Sequence, residues 1–327
     1  MSAPAPSPAR TGGRRLPVAA MSIAGVALLT LTACGSSGGP DAPASSSSAS
    51  QGGCATQTTV GATGASLLPI PPAAVTLDTA GAAPQAALIG TPDRTSAQQV
   101  TLRVVSSSTT ARQGEQPSTA TQDVTLPLTA RVACADPTDV ELQLGQAASP
   151  DTGLAGSLAA VDGSRAGLAV AAGSVPVSLR ILPAQAADDA ARSAVEQTLL
   201  SALQRAVAVP TQPVGVGARW RAVRTLDGAA TVTQTTTATL RERTGSRVVL
   251  DVAVDEVPVD SVFTVPGRGE RLTIGSYSFG GQGTVTIDLA RGLPVAGTLT
   301  LTGGRTLIGD DPARPLVQQT SLAVTWQ

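Results

Sequence analysis

Apolar residues alternate with Thr, Ser and Arg along most of the chain after about residue 98, and Gly, Pro and Asp interrupt the alternation. A period of two is typical of strands with one buried face. Successive strands joined by short turns pair antiparallel, so the pattern predicts a strongly twisted antiparallel sheet. The predicted strands are 99–106, 123–133, 140–145, 175–182, 220–226, 230–241, 247–255, 271–278, 283–289, 297–302 and 320–326.

One segment, 188–208, follows a helical period instead. Asp188 and Asp189 at its start and Arg205 near its end suit the helix dipole, and Pro210 and Pro213 follow as stops. The segment is predicted to be an amphipathic helix packed on the apolar face of the sheet, which gives an α+β fold. Its apolar face comprises Ala191, Val195, Leu199, Ala202, Leu203 and Ala206, while Arg192, Glu196, Gln197 and Arg205 lie off it.

The helix divides two stretches with the same order of strands. Three strands precede it between residues 100 and 144, and three follow it between residues 220 and 254. This repetition predicts two similar halves, 54–183 and 184–327. Few residues are identical between them, and the alternative is that all Thr-rich alternating strands look alike.

The N-terminus has the anatomy of a signal peptide. Arg14 and Arg15 precede an apolar run over 16–33, which stops at Cys34. A transmembrane helix needs about 20 apolar residues and usually has charged flanks on both sides. An uncleaved anchor remains the alternative. The paired arginines leave open whether export uses the general or the twin-arginine route, although Leu16-Pro17 continues the latter motif poorly.

The residues Leu31-Thr32-Ala33-Cys34 resemble the bacterial lipobox. The resemblance implies a lipoprotein signal peptide over 1–33 and acylation of Cys34. Two acyl chains, at about 0.8 kcal/mol per buried methylene, anchor a protein stably. The expected location is therefore the extracytoplasmic side of the cell membrane, with the lipid anchor as the membrane contact.

Gly, Ser, Ala and Pro dominate residues 34–53, which cannot bury enough apolar surface to fold. A disordered tether is predicted there, followed by a single mostly β domain over 54–327. With Cys34 acylated, Cys54 and Cys134 form an even pair in an oxidising compartment, which predicts a disulfide. Two free buried thiols are the alternative.

The composition excludes most catalytic chemistry. All 22 basic residues are arginine, and the chain has neither lysine nor histidine. Ser-His-Asp catalysis, Schiff-base chemistry and a phosphate-binding loop with its lysine are thereby excluded. We expect no enzyme activity, no cofactor, no metal site, and no nucleic-acid partner because a dense cationic surface is lacking. Gly280, Gly281 and Gly283 are interpreted as a turn or bulge between strands.

The acidic residues Asp251, Asp255, Glu256 and Asp260 form a candidate carboxylate site. Asp251 and Asp255 share one strand face about 13 Å apart, which is too far for a catalytic pair. A solvated strand face is the preferred interpretation, with calcium binding or catalysis as alternatives.

The aromatic residues are few: two Trp, two Phe and one Tyr. Phe263, Tyr277 and Phe279 cluster around a turn at 266–269, which makes them candidate ligand-binding residues at the mouth of a pocket. The alternative is that they fill one end of the core. Trp220 and Trp326, at strand ends, are predicted to be core anchors.

Long antiparallel strands around one helix resemble the half-barrel of the mycobacterial lipoproteins LppX and LprG and of the carrier LolA. The run 210–220, together with the 283–302 hairpin, resembles an element of uncharacterised actinobacterial lipoproteins. The first resemblance implies a concave apolar face that holds acyl chains, although the scarcity of aromatics departs from it. We therefore expect a non-enzymatic envelope lipoprotein that binds or carries a lipid or other hydrophobic ligand. The alternative is an envelope scaffold or protein-interaction module with a filled core.

Overall fold

A computed structural model describes residues 53–112, 114–171 and 175–327. The predicted signal peptide, Cys34 and all of the tether except Gly53 lie outside the described residues. The described part belongs to the compact unit Ser50–Gln327. Because this unit contains the disulfide and all of the described core, we expect it to fold by itself.

The described residues form one sheet in which every pair of neighbouring strands is antiparallel, as predicted. Helix is confined to α1, Thr152–Leu158, with a short 3-10 turn after it, and α2, Asp189–Leu203, so the fold is more dominated by strands than an α+β fold usually is. The strands are β1 Ser66–Pro69, β2 Ala74–Thr79, β3 Gln98–Arg112, β4 Ser118–Val132, β5 Asp139–Leu144, β6 Arg165–Ala171, β7 Val175–Leu182, β8 Arg219–Leu226, β9 Val232–Thr244, β10 Arg247–Pro258, β11 Val262–Thr264, β12 Arg271–Asp288, β13 Ala296–Ile308 and β14 Leu316–Trp326.

The order of strands shows that the sheet is rolled. It runs β1-β7-β6-β5-β4-β3-β14-β13-β12-β10-β9-β8-β2, with β11 on β12. At about 4.8 Å per strand, the two edges of a flat sheet of this size would lie roughly 58 Å apart. Yet only residues 70–73 join β1 at one edge to β2 at the other, and a link of that length spans at most about 17 Å. The sheet must therefore curl until its edges approach each other.

Helix α2 is the predicted helix, and it lies against the main core. The Asp188 carboxylate caps it by accepting from the Ala191 backbone N–H at 2.8 Å. The predicted apolar face is buried from Ala191 to Leu203. The helix ends at Leu203, five residues earlier than predicted. The predicted position of Arg205 off the apolar face is wrong, because the chain turns after Gln204 and directs the Arg205 side chain inward.

Strand β12 is continuous where the sequence predicted two strands. Gly281 and Gly283 lie within it, paired with Leu301 and Leu299 of β13. A Cβ at either position would collide with the backbone of β13. These glycines therefore serve close strand packing within the sheet, and the predicted turn or bulge there is wrong.

Several elements gave no recognisable signal in the sequence: β1, β2, β6, β11 and α1. Strands β3 and β4 also extend well past their predicted bounds. Their extensions pair serine and threonine with one another and with alanine or glutamine, as between Ser106–Ser108 and Ala120–Gln122. Such residues lack the apolar and polar contrast that reveals a strand. The predicted duplication into halves stays a prediction, although β3–β5 and β8–β10 are each successive antiparallel strands.

The main core lies on one face of the sheet, called the inner face below. Trp220 is fully buried and its Nε1 donates to the Ala208 carbonyl at 2.8 Å, while Trp326 is also buried. Both tryptophans are therefore core anchors, as predicted.

The N-terminal segment is fastened to the sheet at two points. The predicted disulfide joins Cys54 to Cys134, whose Cα atoms lie 4.9 Å apart. The buried Glu141 carboxylate then accepts from the Thr59 backbone N–H at 2.6 Å and from the Thr59 hydroxyl at 2.8 Å, and it pairs with Arg165 at 2.6 Å. The first residues of the domain are thus held by one covalent and one ionic contact.

Replacing this carboxylate tests the second contact. Glu141→Gln is expected to lower the free energy of unfolding by roughly 1–3 kcal/mol, because three hydrogen bonds to a charged group are weakened. Urea denaturation of Ser50–Gln327 measures the change. Glu270→Gln, at an exposed position, is the matched control and is expected to be nearly neutral. Equal stabilities of the two variants would contradict the assigned role of Glu141.

Candidate functional site

A group of polar side chains lies on the inner face, where the alternation would place apolar ones. Arg224, Gln234 and Glu256 are directly opposite one another across β8, β9 and β10. All three are at least 94% buried. With their polar neighbours they form the buried polar cluster, defined as Arg205, Arg224, Gln234, Thr236, Glu256 and Tyr277.

Glu256 is the centre of this cluster. Its Oε1 accepts from Arg205 Nη2 at 3.2 Å and from Gln234 Nε2 at 3.0 Å. Its Oε2 accepts from the Tyr277 hydroxyl at 3.4 Å. One carboxylate therefore ties β9, β10 and β12 to the segment that follows α2.

The two arginines also satisfy carbonyl groups at the C-terminal end of α2. Arg224 donates to the carbonyls of Gln204 and Ala206 at 3.0 and 2.8 Å, and Arg205 donates to Ser201 at 3.1 Å. Burial, and then the positive charge of Arg205, lowers the pKa of Arg224 to about 10. Burial likewise lowers the pKa of Arg205, an effect that Glu256 opposes.

Four buried atoms of the cluster lack a hydrogen-bond partner among the described residues: Arg205 Nε, Arg224 Nε, Gln234 Oε1 and Thr236 Oγ1. An unsatisfied buried polar group costs about 1–3 kcal/mol, so such groups mark places where a further polar partner would be stabilised. The cluster also contains two guanidinium groups and one carboxylate.

The three predicted aromatic residues lie in different surroundings. Tyr277 belongs to it, and Phe279 is directly opposite Glu256 and packs on the main core. Phe263 is buried in a second apolar cluster with Ile274 and Leu307, and the Arg305 guanidinium lies 4.2 Å from its ring centre. Their binding of a ligand stays a prediction.

An apolar pocket lies beneath the C-terminal end of α2. It has a volume of about 50 Å³ and is partly open to solvent. Arg205 lines it, as do the half-buried Asp288 and Arg291. Arg291 already pairs with Asp93 at 3.1 Å. The apolar walls include Leu203, Val207, Val285, Leu299, Val324 and Trp326. A second cavity, of about 120 Å³, lies between the 289–292 turn and β4–β6.

The acidic residues of β10 separate onto the two faces of the sheet. Asp251 and Asp255 are exposed on the outer face, whereas Glu256 is buried on the inner one. Within the described residues, no group of three or more Cys, Asp or Glu side chains is arranged to hold a metal ion. Sequence reasoning missed that Glu256 and Arg224 are buried on the inner face. A signal was available in the alternation. Each of the two charged residues falls at one of the alternate positions of its strand that are otherwise apolar and buried.

No protein-family model matches the chain, and no curated protein matches its sequence. In the described part of the chain, no helix is both long and apolar enough to span a membrane.

Tyr277 permits a direct measurement of the cluster, because it is the single tyrosine of the chain. Burial and the adjacent Glu256 carboxylate raise the pKa of its phenol to about 12. A raised pKa means that the neutral phenol contributes stability below pH 10, which is lost as the pH rises from about 10 to about 12. Phenolate absorbance of folded Ser50–Gln327 should therefore titrate well above that of the urea-unfolded chain. Coincident titrations would show that the phenol does not face Glu256 in the folded protein.

Proposed function

We propose that the chain is a lipid-anchored, non-enzymatic protein of the cell envelope that binds an apolar or amphipathic ligand beneath the C-terminal end of α2. The supporting observation is the partly open pocket there, whose walls are mostly aliphatic. The location rests on the lipobox resemblance at Cys34. Mass spectrometry of the purified full chain tests this location, which predicts a diacylglycerol-modified Cys34 at the N-terminus.

The size of the pocket limits the mode of binding. Sites for drug-sized ligands measure about 300–1,000 Å³, whereas this pocket measures about 50 Å³. A ligand of more than a few atoms therefore enters only as the walls separate. Two of these walls lie outside the sheet, namely the 289–295 turn and the segment after Leu203, and these are the parts expected to shift.

Alcohols of increasing chain length test the proposal on Ser50–Gln327. Trp326 lines the pocket, so brominated alkanols that enter it should quench its fluorescence. Affinity is expected to rise about fourfold per methylene, equivalent to about 0.8 kcal/mol, until the chain outgrows the apolar walls. Extraction of the purified full chain should also release a bound lipid that mass spectrometry identifies.

A blocking variant gives the control. Ala206 is half-buried in the wall of the pocket, and Ala206→Phe should fill the pocket and abolish quenching. Ala190→Phe, on the exposed side of α2, should leave quenching unchanged. Both variants must retain the circular dichroism spectrum of the parent. Failure of every alkanol to quench, with no extracted lipid, would refute ligand binding.

The small cavities favour a second function, that of an envelope scaffold with a filled core. Cavities of about 50 and 120 Å³ hold only a few water molecules. A scaffold would bind its partner on the outer face, where Val257 is 55% exposed. A photocrosslinker at Val257 should then capture one defined envelope protein, whereas Val257→Glu should abolish the association. If the crosslinker at Val257 captures no other protein, and Val257→Glu changes nothing, this alternative is refuted.

A further inference from the structure

Arg205 links the buried polar cluster to the apolar pocket. It lines the pocket and also pairs with Glu256 at 3.2 Å. Its side chain is only 12% exposed, and two of its three nitrogens have partners, on Glu256 and Ser201. The third, Nε, has none among the described residues. A buried guanidinium with an unpartnered Nε–H therefore borders a pocket whose walls are mostly aliphatic and whose other charged residues are Asp288 and Arg291.

The charge within the buried polar cluster is not balanced. Arg205 and Arg224 face a single carboxylate, Glu256, while the other groups bound to them are neutral carbonyls. The nearby Gln234 and Thr236 are neutral, as is Tyr277 at ordinary pH. These buried groups thus carry one positive charge in excess, which an added negative charge would balance. On the pocket wall, the half-buried Asp288 accepts from the Ala290 backbone N–H at 3.0 Å, and Arg291 is paired with Asp93.

We propose that Arg205 is the recognition residue for an anionic head group, so that the ligand is an amphipathic anion whose apolar chain lies against Val285, Leu299 and Val324. This inference rests on the proposed function. Arg205 Nε is buried, so a carboxylate or a phosphate oxygen reaches its unpartnered N–H only as the pocket walls separate, and it then accepts a charge-assisted hydrogen bond, which is a strong kind. The site would then select ligands by the charge of the head group and by the length of the apolar chain.

Three brominated probes with the same chain test the inference on Ser50–Gln327: 8-bromooctanol, 8-bromooctanoate and 8-bromooctyl phosphate. Quenching of Trp326 reports binding, and Trp326→Phe identifies any contribution from Trp220. We expect at least one anion to bind about tenfold or more tightly than the alcohol, since one hydrogen bond involving charge is gained. The carboxylate and phosphate arms distinguish which head group is preferred.

Substitutions separate recognition from folding. Arg205→Gln should bring the anions within about twofold of the alcohol. Arg221→Gln, at an exposed arginine paired with Asp78, should retain the preference. Should Arg205→Gln fail to fold, Glu256→Gln gives a second test. By removing the competing carboxylate and keeping the side-chain shape, it should increase the preference for the anions.

The outcomes distinguish the two proposals. Equal binding of alcohol and anions by the parent, or an unchanged preference in Arg205→Gln, overturns the head-group inference and leaves the proposed function standing. A preference that falls in Glu256→Gln also overturns the inference, because the carboxylate would then be assisting recognition. Absence of quenching by all three probes, together with no lipid extracted from the full chain, overturns the proposed function itself.

Discussion

Replacing both disulfide cysteines, with Cys54→Ser and Cys134→Ser together, is expected to lower the free energy of unfolding by about 4 kcal/mol. The bond closes a loop with a sequence separation of 80 residues, and the chain-entropy description assigns roughly that contribution to a loop of this length. Most domains are stable by only about 5–15 kcal/mol, so the loss would be severe. Urea denaturation of Ser50–Gln327 provides the measurement.

A reducing agent provides the control for this prediction. Reduction of the parent should reproduce the loss, whereas the doubly substituted chain should not respond to the reductant. A double variant within about 1 kcal/mol of the parent would mean that the contacts of Thr59 with Glu141 already hold the segment. Glu141→Gln combined with the cysteine changes would then show the larger loss.

Glu256→Ala is expected to cost about 3–5 kcal/mol, comparable to the loss of the disulfide. Glu256 is 6% exposed and its carboxylate is the ionic partner of the buried Arg205. Removing one member of a buried pair leaves the other charge uncompensated, which is the source of the large penalty. The hydrogen bonds from Gln234 and Tyr277 are lost at the same time.

The neighbouring residue is a matched control for Glu256. Asp255 precedes it on β10 but lies exposed on the outer face, so Asp255→Ala should change stability by no more than about 0.5 kcal/mol. Urea denaturation of both variants compares the two faces of one strand directly. Similar losses for the two substitutions would show that Glu256 is not the buried ionic partner of Arg205.

Much of the fold was predictable from local patterns. Strand β7 was predicted with its observed bounds, and α2 was recognised from the spacing of Ala191, Val195 and Leu199. The Cys54–Cys134 disulfide followed from counting cysteines. These predictions were correct because strands and helices depend on periodicity in neighbouring residues, and because only two cysteines remain to pair once Cys34 is acylated.

The candidate site was only partly predictable. Tyr277 was singled out as an aromatic residue near a turn, and the structure adds its contact with Glu256. Arg205 was expected to lie off the apolar face of the helix, yet it is buried among inner-face residues. A helix that ends five residues early alters the direction of every later side chain, and periodicity does not report that end.

The sequence by itself determined that strands dominate, that α2 is amphipathic, that the two cysteines pair, and that histidine and lysine chemistry is excluded. Only the tertiary structure decided that the sheet rolls until β1 and β2 approach each other, and that Arg205, Arg224 and Glu256 meet on its inner face. The physical reason is distance along the chain. Alternation depends on neighbouring residues, whereas the order of strands and the partners of a buried charge depend on contacts between residues far apart in sequence.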